Sequence, residues 1–148
     1  MNTGLERVSI KIVKDGIYGK GIKVTTPNIA VKLLQEELQE SDREMMCVIN
    51  VKADCTPINC NIVSQGSANI CLAHPREIMK SAILSNAAGI IMIHNHLGNS
   101  VNPSERDRDV TGKMVDVCEL MCIPLYDHII TCAGNDSIYS FLEHDILP

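Results

Sequence analysis

Residues 89–107 read G-I-I-M-I-H-N-H-L-G-N-S-V-N-P-S-E-R-D, and the fold is decided in this stretch. Gly89 to Ile93 is a dense apolar run, the pattern of a strand covered on both faces. It runs straight into His94. A polar loop from Leu97 to Asn102 then leads to Pro103 and a helix through Cys122, with Val110, Met114, Val117 and Met121 at helical spacing. Side chains two apart on an extended segment project to the same side, so His94 and His96 can chelate one ion. Asp107 falls about one turn into the following helix, where a folded-back loop brings its carboxylate to the same point. Two imidazoles and a carboxylate leave a fourth tetrahedral position open, the mark of a catalytic zinc site and not of a closed structural one.

Each piece also has a plainer reading. H-x-H arises by chance, and Ser104 with Asp107 matches a capping box, which by itself accounts for both residues. The combination of apolar strand, H-x-H, and Ser and Asp at one helix start is far more specific than any one of its parts.

Working outward, Tyr126 to Thr131 and Ser137 to Leu142 read as two further strands. Upstream, His74-Pro75-Arg76-Glu77 opens a helical pattern through Ile78, Met79, Ala82 and Ile83 that ends near Asn86. Three short β-prone runs precede it, Met45 to Val51, Asn59 to Val63 and Ala68 to Leu72. Thr26 and Pro27 look like the cap and first position of a helix that runs to about Glu40, with Ala30, Val31, Leu33, Leu34 and Leu38 on its apolar side and a solvated face of Lys and Glu. Arg7 to Lys14 alternates apolar Val8, Ile10 and Ile12 with polar residues before Asp15-Gly16, which predicts a β-hairpin start. No repeat, linker or low-complexity tract interrupts the chain, so a single domain over residues 1–148 is expected. The interleaving of strands, hairpins and helices predicts an α/β fold, a mixed β-sheet flanked by helices in three layers.

Composition narrows the function. At 148 residues and 45% hydrophobic content the chain can bury one real core. A formal charge of −5 leaves no excess of cations to neutralise a phosphate backbone, so direct DNA binding is disfavoured. With no Trp, one Phe and three Tyr, the stacking platform of single-strand binders is missing too. The seven cysteines form an odd set without a C-x-x-C pair, unlike a disulfide framework or a thiolate zinc site, and read as small buried apolar residues. Cys118 and Cys122, one turn apart, read as packing on a helix. The first residues lack a secretory pattern and no apolar run is long enough to span a bilayer, so a soluble, cytoplasmic protein without membrane contact is expected. Edge strands offer a route to pairing between copies, which leaves a homo-oligomer open.

The zinc segment, with D-R-E at 42–44, H-P-R-E-I-M-K-S-A-I-L-S-N-A-A at 74–88 and I-P-L-Y-D-H-I-I at 123–130, resembles the JAMM motif of MPN metallopeptidases, and within that superfamily the bacterial RadC-like JAB-domain branch. The resemblance covers the chain from about Val8 onward. It implies an MPN, cytidine-deaminase-like fold and a zinc-dependent hydrolase, a metallopeptidase or isopeptidase with a peptide or protein substrate. It also implies that His94, His96 and Asp107 hold one Zn2+, that Glu44 is the general base for the activated water, and that Ser104 stabilises the oxyanion. Spacing alone does not choose Glu44 from Glu36, Glu37, Glu40 or Glu77. Two features depart from the branch. Leu97 and Gly98-Asn99 stand where Pro and Ser-Gly are usual, which removes a rigid φ from the loop that shapes the site. Longer relatives carry an N-terminal helical module associated with DNA, which is not expected in this chain, so the expected link to DNA repair is weakened. The alternative function is a catalytically silent interaction module tied to DNA recombination or mobile elements. His74 reads as a cap or turn residue and His144 as exposed, whereas Asp127-His128 is equally readable as a pair behind the metal ligands, a substrate contact or a satisfied core pair.

Overall fold

The computed structural model describes residues 4–17, 22–66 and 73–147. Its elements run α1 (Pro27–Leu33), α2 (Gln35–Glu40), β1 (Met45–Val51), β2 (Pro57–Gln65), α3 (Pro75–Leu84), β3 (Gly89–His96), α4 (Glu105–Met121), β4 (Leu125–Cys132) and β5 (Asn135–Ser140). The five strands form one mixed sheet in the order β2-β1-β3-β4-β5. β1 pairs antiparallel with β2 and β3, β3 pairs parallel with β4, and β5 closes antiparallel on β4. The parallel pair needs a crossover, and α4 supplies it. No helix among the described residues is long and apolar enough to cross a membrane.

The central strands are buried on both sides, as their near-continuous apolar sequences require. Successive side chains alternate between two cores. Met46, Val48, Ile90, Met92 and Ile130 pack with Ile78, Ala82, Met114 and Cys118 of α3 and α4. Met45, Cys47, Ile49, Val51, Ile91, Ile93 and Ile129 pack with Ala30, Leu34 and Leu38 from the α1–α2 side. The fold is therefore α/β, a mixed sheet between helical layers, as expected. Burying each of these large apolar side chains stabilises by roughly 1.5–3 kcal/mol, so the two cores outweigh any surface pair.

Local chemistry accounts for the helix ends. Thr26 caps α1, its hydroxyl accepting from Ile29 N at 3.4 Å, with Pro27 in the first turn where a missing N–H costs nothing. The helix expected to reach Glu40 does so in two pieces, broken at Leu34, and the bend leaves Ala30, Leu34 and Leu38 all buried. Cys122 ends α4 in the left-handed region at φ 55°, with Ile123 N returning to Cys118 O at 3.0 Å. Cys118 is buried and Cys122 exposed, so the two do not share a face. Cys47 and Cys132 are also buried, whereas Cys55 and Cys60 are partly so.

The predicted N-terminal hairpin does not form, for residues 4–17 contain no strand. Val8, Ile10 and Ile12 are 77%, 75% and 45% exposed. Alternation gives a segment one apolar face, but a strand also needs a partner ladder and a layer to cover that face, and among the described residues neither is present. The strand expected over Ala68 to Leu72 lies outside the described residues.

Candidate metal centre

The site forms where β3 ends and α4 begins, at the carboxyl edge of the parallel pair. His94 and His96 lie on the β3 face that looks toward α4, and their Nε2 atoms are 3.0 Å apart. Asp107, in the first turn of α4, reaches both: its Oδ1 is 3.2 Å from His94 Nε2 and its Oδ2 3.3 Å from His96 Nε2. The three residues form a group able to hold a metal ion, with ligand atoms within 4.8 Å of one another.

The donor set fits a divalent cation. His96 Nδ1 is 3.0 Å from Ser100 O, a carbonyl that can only accept, so Nδ1 carries the proton and a neutral His96 offers its Nε2 lone pair. Burial pushes the Asp107 carboxyl up, but His94 and His96 facing it and the Ser104 hydroxyl outweigh burial and hold the group well below the ordinary carboxylate range. The Asp107 carboxylate in turn raises His96 above its ordinary value against the effect of burial, with the Ser100 carbonyl and the charge of Glu44 adding to the rise. In the absence of a metal, a proton is the cation that this cluster attracts.

Ser104 is the N-cap of α4, and the capping box is present: Ser104 Oγ accepts from Asp107 N at 3.2 Å while Asp107 Oδ2 accepts from Ser104 N at 2.7 Å. The Ser104 hydroxyl also donates to Asp107 Oδ2 at 2.7 Å. The capping reading and the ligand reading of Asp107 are thus compatible, since Oδ2 serves the cap while Oδ1 faces His94.

Glu44 arrives by sheet register. β1 runs antiparallel to β3 with Met46 opposite His94, and Glu44 stands two residues before Met46, just ahead of the strand. Its charge is felt at His96. The backbone around it is held on three sides: Gly66 N donates to Glu44 O at 2.8 Å, Asn95 Oδ1 accepts from Met45 N at 2.7 Å, and Asn95 Nδ2 donates to Arg43 O at 3.1 Å. Asn95, the middle residue of H-N-H, points to the opposite face from the histidines and is fully buried. Sequence reasoning passed over it, although the alternation that aims two histidines one way aims this amide the other. Asn95→Ala would leave buried backbone groups without partners, at roughly 1–3 kcal/mol for each. We expect a loss of about 3 kcal/mol in urea unfolding. An unchanged midpoint would rule out the clamp.

The loop with Leu97 and Gly98-Asn99 is braced from the β4–β5 turn. Ala133 N donates to His96 O at 3.3 Å, Asn135 Nδ2 donates to Asn99 O at 3.3 Å, and a Cβ at Gly134 would overlap the Asn99 side chain. Contacts from a neighbouring turn here hold a loop that lacks a proline.

The remaining candidates separate cleanly. His74 caps α3, its Nδ1 accepting from Arg76 N at 3.2 Å. Asp127 faces away from the metal ligands and ties down the C-terminal turn, accepting from Ser140 Oγ at 2.7 Å and Leu142 N at 3.0 Å. Burial raises its carboxyl above the ordinary value. His144 is exposed, with its ring stacked on Tyr139. His128 is fully buried against the site, its Nε2 2.8 Å from His94 Nδ1 and its Nδ1 2.6 Å from Thr111 Oγ1. Burial, then the neighbouring His94, push His128 well below its ordinary value. Thr111 was not singled out from sequence, although it stands four residues after Asp107 on the same helix face. A cleft of about 320 Å³ lies beside α2, and its lining of Glu36, Glu37, Glu40, Asp42, Arg43 and Gln65 includes none of the cluster residues.

A mixed sheet between helices, with two histidines at a strand end facing an aspartate at the next helix start, defines a JAB/MPN-type α/β domain. The chain belongs to the RadC-like JAB domain family, whose profile matches residues 24–146. It is 34% identical over 126 residues to a UPF0758 protein of Clostridium acetobutylicum, covering 85% of this chain and 54% of that one. It is 36% identical over 120 residues to a UPF0758 protein of Haemophilus ducreyi, covering 81% and 53%. The chain thus spans about half the length of the curated relatives it matches.

Proposed function

We propose that the chain is a zinc-dependent hydrolase of peptide or isopeptide bonds, in which His94, His96 and Asp107 hold one zinc ion. The observation that carries this reading is the convergence of two imidazole Nε2 atoms and an ionised carboxylate on one point, with the charge of a second acidic residue, Glu44, acting on His96. Bound zinc would supply a Lewis acid that polarises a carbonyl and makes a water acidic enough to ionise near neutral pH. Glu44, whose charge acts on His96, takes the proton of the attacking water and delivers it to the leaving amine. Ser104, whose hydroxyl rests on Asp107 Oδ2, turns its O–H to the oxyanion that forms as the carbonyl is attacked. The substrate is a peptide or protein.

The test is elemental analysis of protein purified without chelator. Wild type should carry close to one zinc per chain and His96→Ala almost none, with both folded by circular dichroism. Well-folded wild type that holds no zinc and takes up none when it is supplied would end the proposal.

A further inference from the structure

We propose that Thr111 and His128 are positioning residues that lock His94 in the tautomer presenting its Nε2 lone pair to the metal. This rests on the metal-centre reading above, and it follows from counting protons along one chain of hydrogen bonds.

The chain starts at a group that cannot donate. Asp107 O is a backbone carbonyl, and Thr111 Oγ1 lies 2.6 Å from it, so the single hydroxyl proton of Thr111 is committed there. Thr111 Oγ1 can then only accept from His128 Nδ1, 2.6 Å away. His128 therefore carries its proton on Nδ1 and, as a neutral ring, presents Nε2 as an acceptor. Across 2.8 Å, His94 Nδ1 must donate to it. His94 is left with a bare Nε2 directed at His96 Nε2 and Asp107. Each step follows from the one before it, and the first is fixed by backbone.

Packing keeps the relay from rearranging. Thr111 and His128 are 2% and 0% exposed, so water cannot supply a competing partner. Phe141, the only phenylalanine, stacks on the His128 ring with centroids 4.8 Å apart and planes 8° from parallel, which fixes the ring's plane. The relay also joins two ligands, because it begins on the backbone of Asp107 and ends on His94. An outer partner that fixes tautomer and orientation typically changes metal affinity by about 10–100-fold.

The experiment uses the full chain with Thr111→Val, which keeps the shape and removes the hydroxyl, and Thr111→Ser, which restores it. Zinc affinity is read by competition with a chromogenic chelator, and histidine tautomers by nitrogen NMR of metal-stripped protein in mildly alkaline buffer. Wild type should show His94 and His128 protonated on Nδ1. Thr111→Val should bind zinc about 10–100-fold more weakly, with the His128 proton moved to Nε2, and Thr111→Ser should return both toward wild type. Wild-type His94 protonated on Nε2, or Thr111→Val with unchanged affinity and tautomers, would overturn the relay. If wild type takes up no zinc, the metal-centre reading fails, while the nitrogen spectra still decide the relay by themselves.

Discussion

Glu44→Gln is expected to lower turnover of a cleavable peptide or isopeptide substrate by about 10²–10⁴-fold while leaving zinc content and fold unchanged. Gln has nearly the shape of Glu but cannot take a proton near neutral pH. The residue is placed by its backbone, with Arg43 O, Glu44 O and Met45 N all engaged, so the substitution should not disturb the entry into β1. It is not one of the three grouped ligands, so metal should stay. The useful measurement is a full rate profile against pH beside zinc analysis of the same samples. A metal-loaded Glu44→Gln protein as active as wild type would remove Glu44 from the chemistry. A silent interaction module would show no hydrolysis in either protein.

Why Glu44 was not legible from spacing alone is now a matter of topology. His94, His96 and Asp107 are close in sequence, and strand alternation with a helix start is enough to bring them together. Glu44 is fifty residues upstream of His94, just ahead of the strand that pairs antiparallel with β3, and local periodicity does not encode such a long-range pairing. A role for Glu44 is what the resemblance to the MPN metallopeptidases implies, and the local pattern does not choose it.

The same distinction runs through the rest of the molecule. Helices and central strands were readable because their apolar patterns are long and their caps chemical, as at Thr26 and Ser104. The segment around Val8, Ile10 and Ile12 misled because alternation describes one strand, whereas a sheet needs two. Asp127 and His128 are neighbours with opposite destinies, one tying down the C-terminal turn and the other backing His94, and period two is the whole reason. A pair of adjacent polar residues on a buried strand cannot serve one site together.

Asp107 carries the other large effect, because it is at once a grouped ligand and half of a capping box. Asp107→Ala removes the carboxylate from both histidines and from Ser104 N and Oγ, so it should abolish zinc retention and also cost about 1 kcal/mol of helix capping. Asp107→Asn separates the two roles. Its amide oxygen can still accept from Ser104 N, but it brings no charge to the cluster, so zinc affinity should fall by more than the outer-partner range of about 10–100-fold while the fold holds. The pH dependence of metal-stripped protein gives a second readout. Asp107, held below its ordinary value, contributes stability that is present above about pH 3.9 and lost as pH falls through its folded value. His96, raised by Asp107, contributes stability that is present below about pH 6.5 and lost as pH rises through its folded value. Both contributions need the Asp107 charge, which His94 and then His96 stabilise and which itself raises His96, so Asp107→Asn should flatten the urea-midpoint profile at both ends. Saturating zinc should do so for wild type at the alkaline end only, because the metal displaces the His96 proton. If the Asp107→Asn profile kept its alkaline fall, the charge that raises His96 would have to lie elsewhere, and Glu44 would be the next group to neutralise.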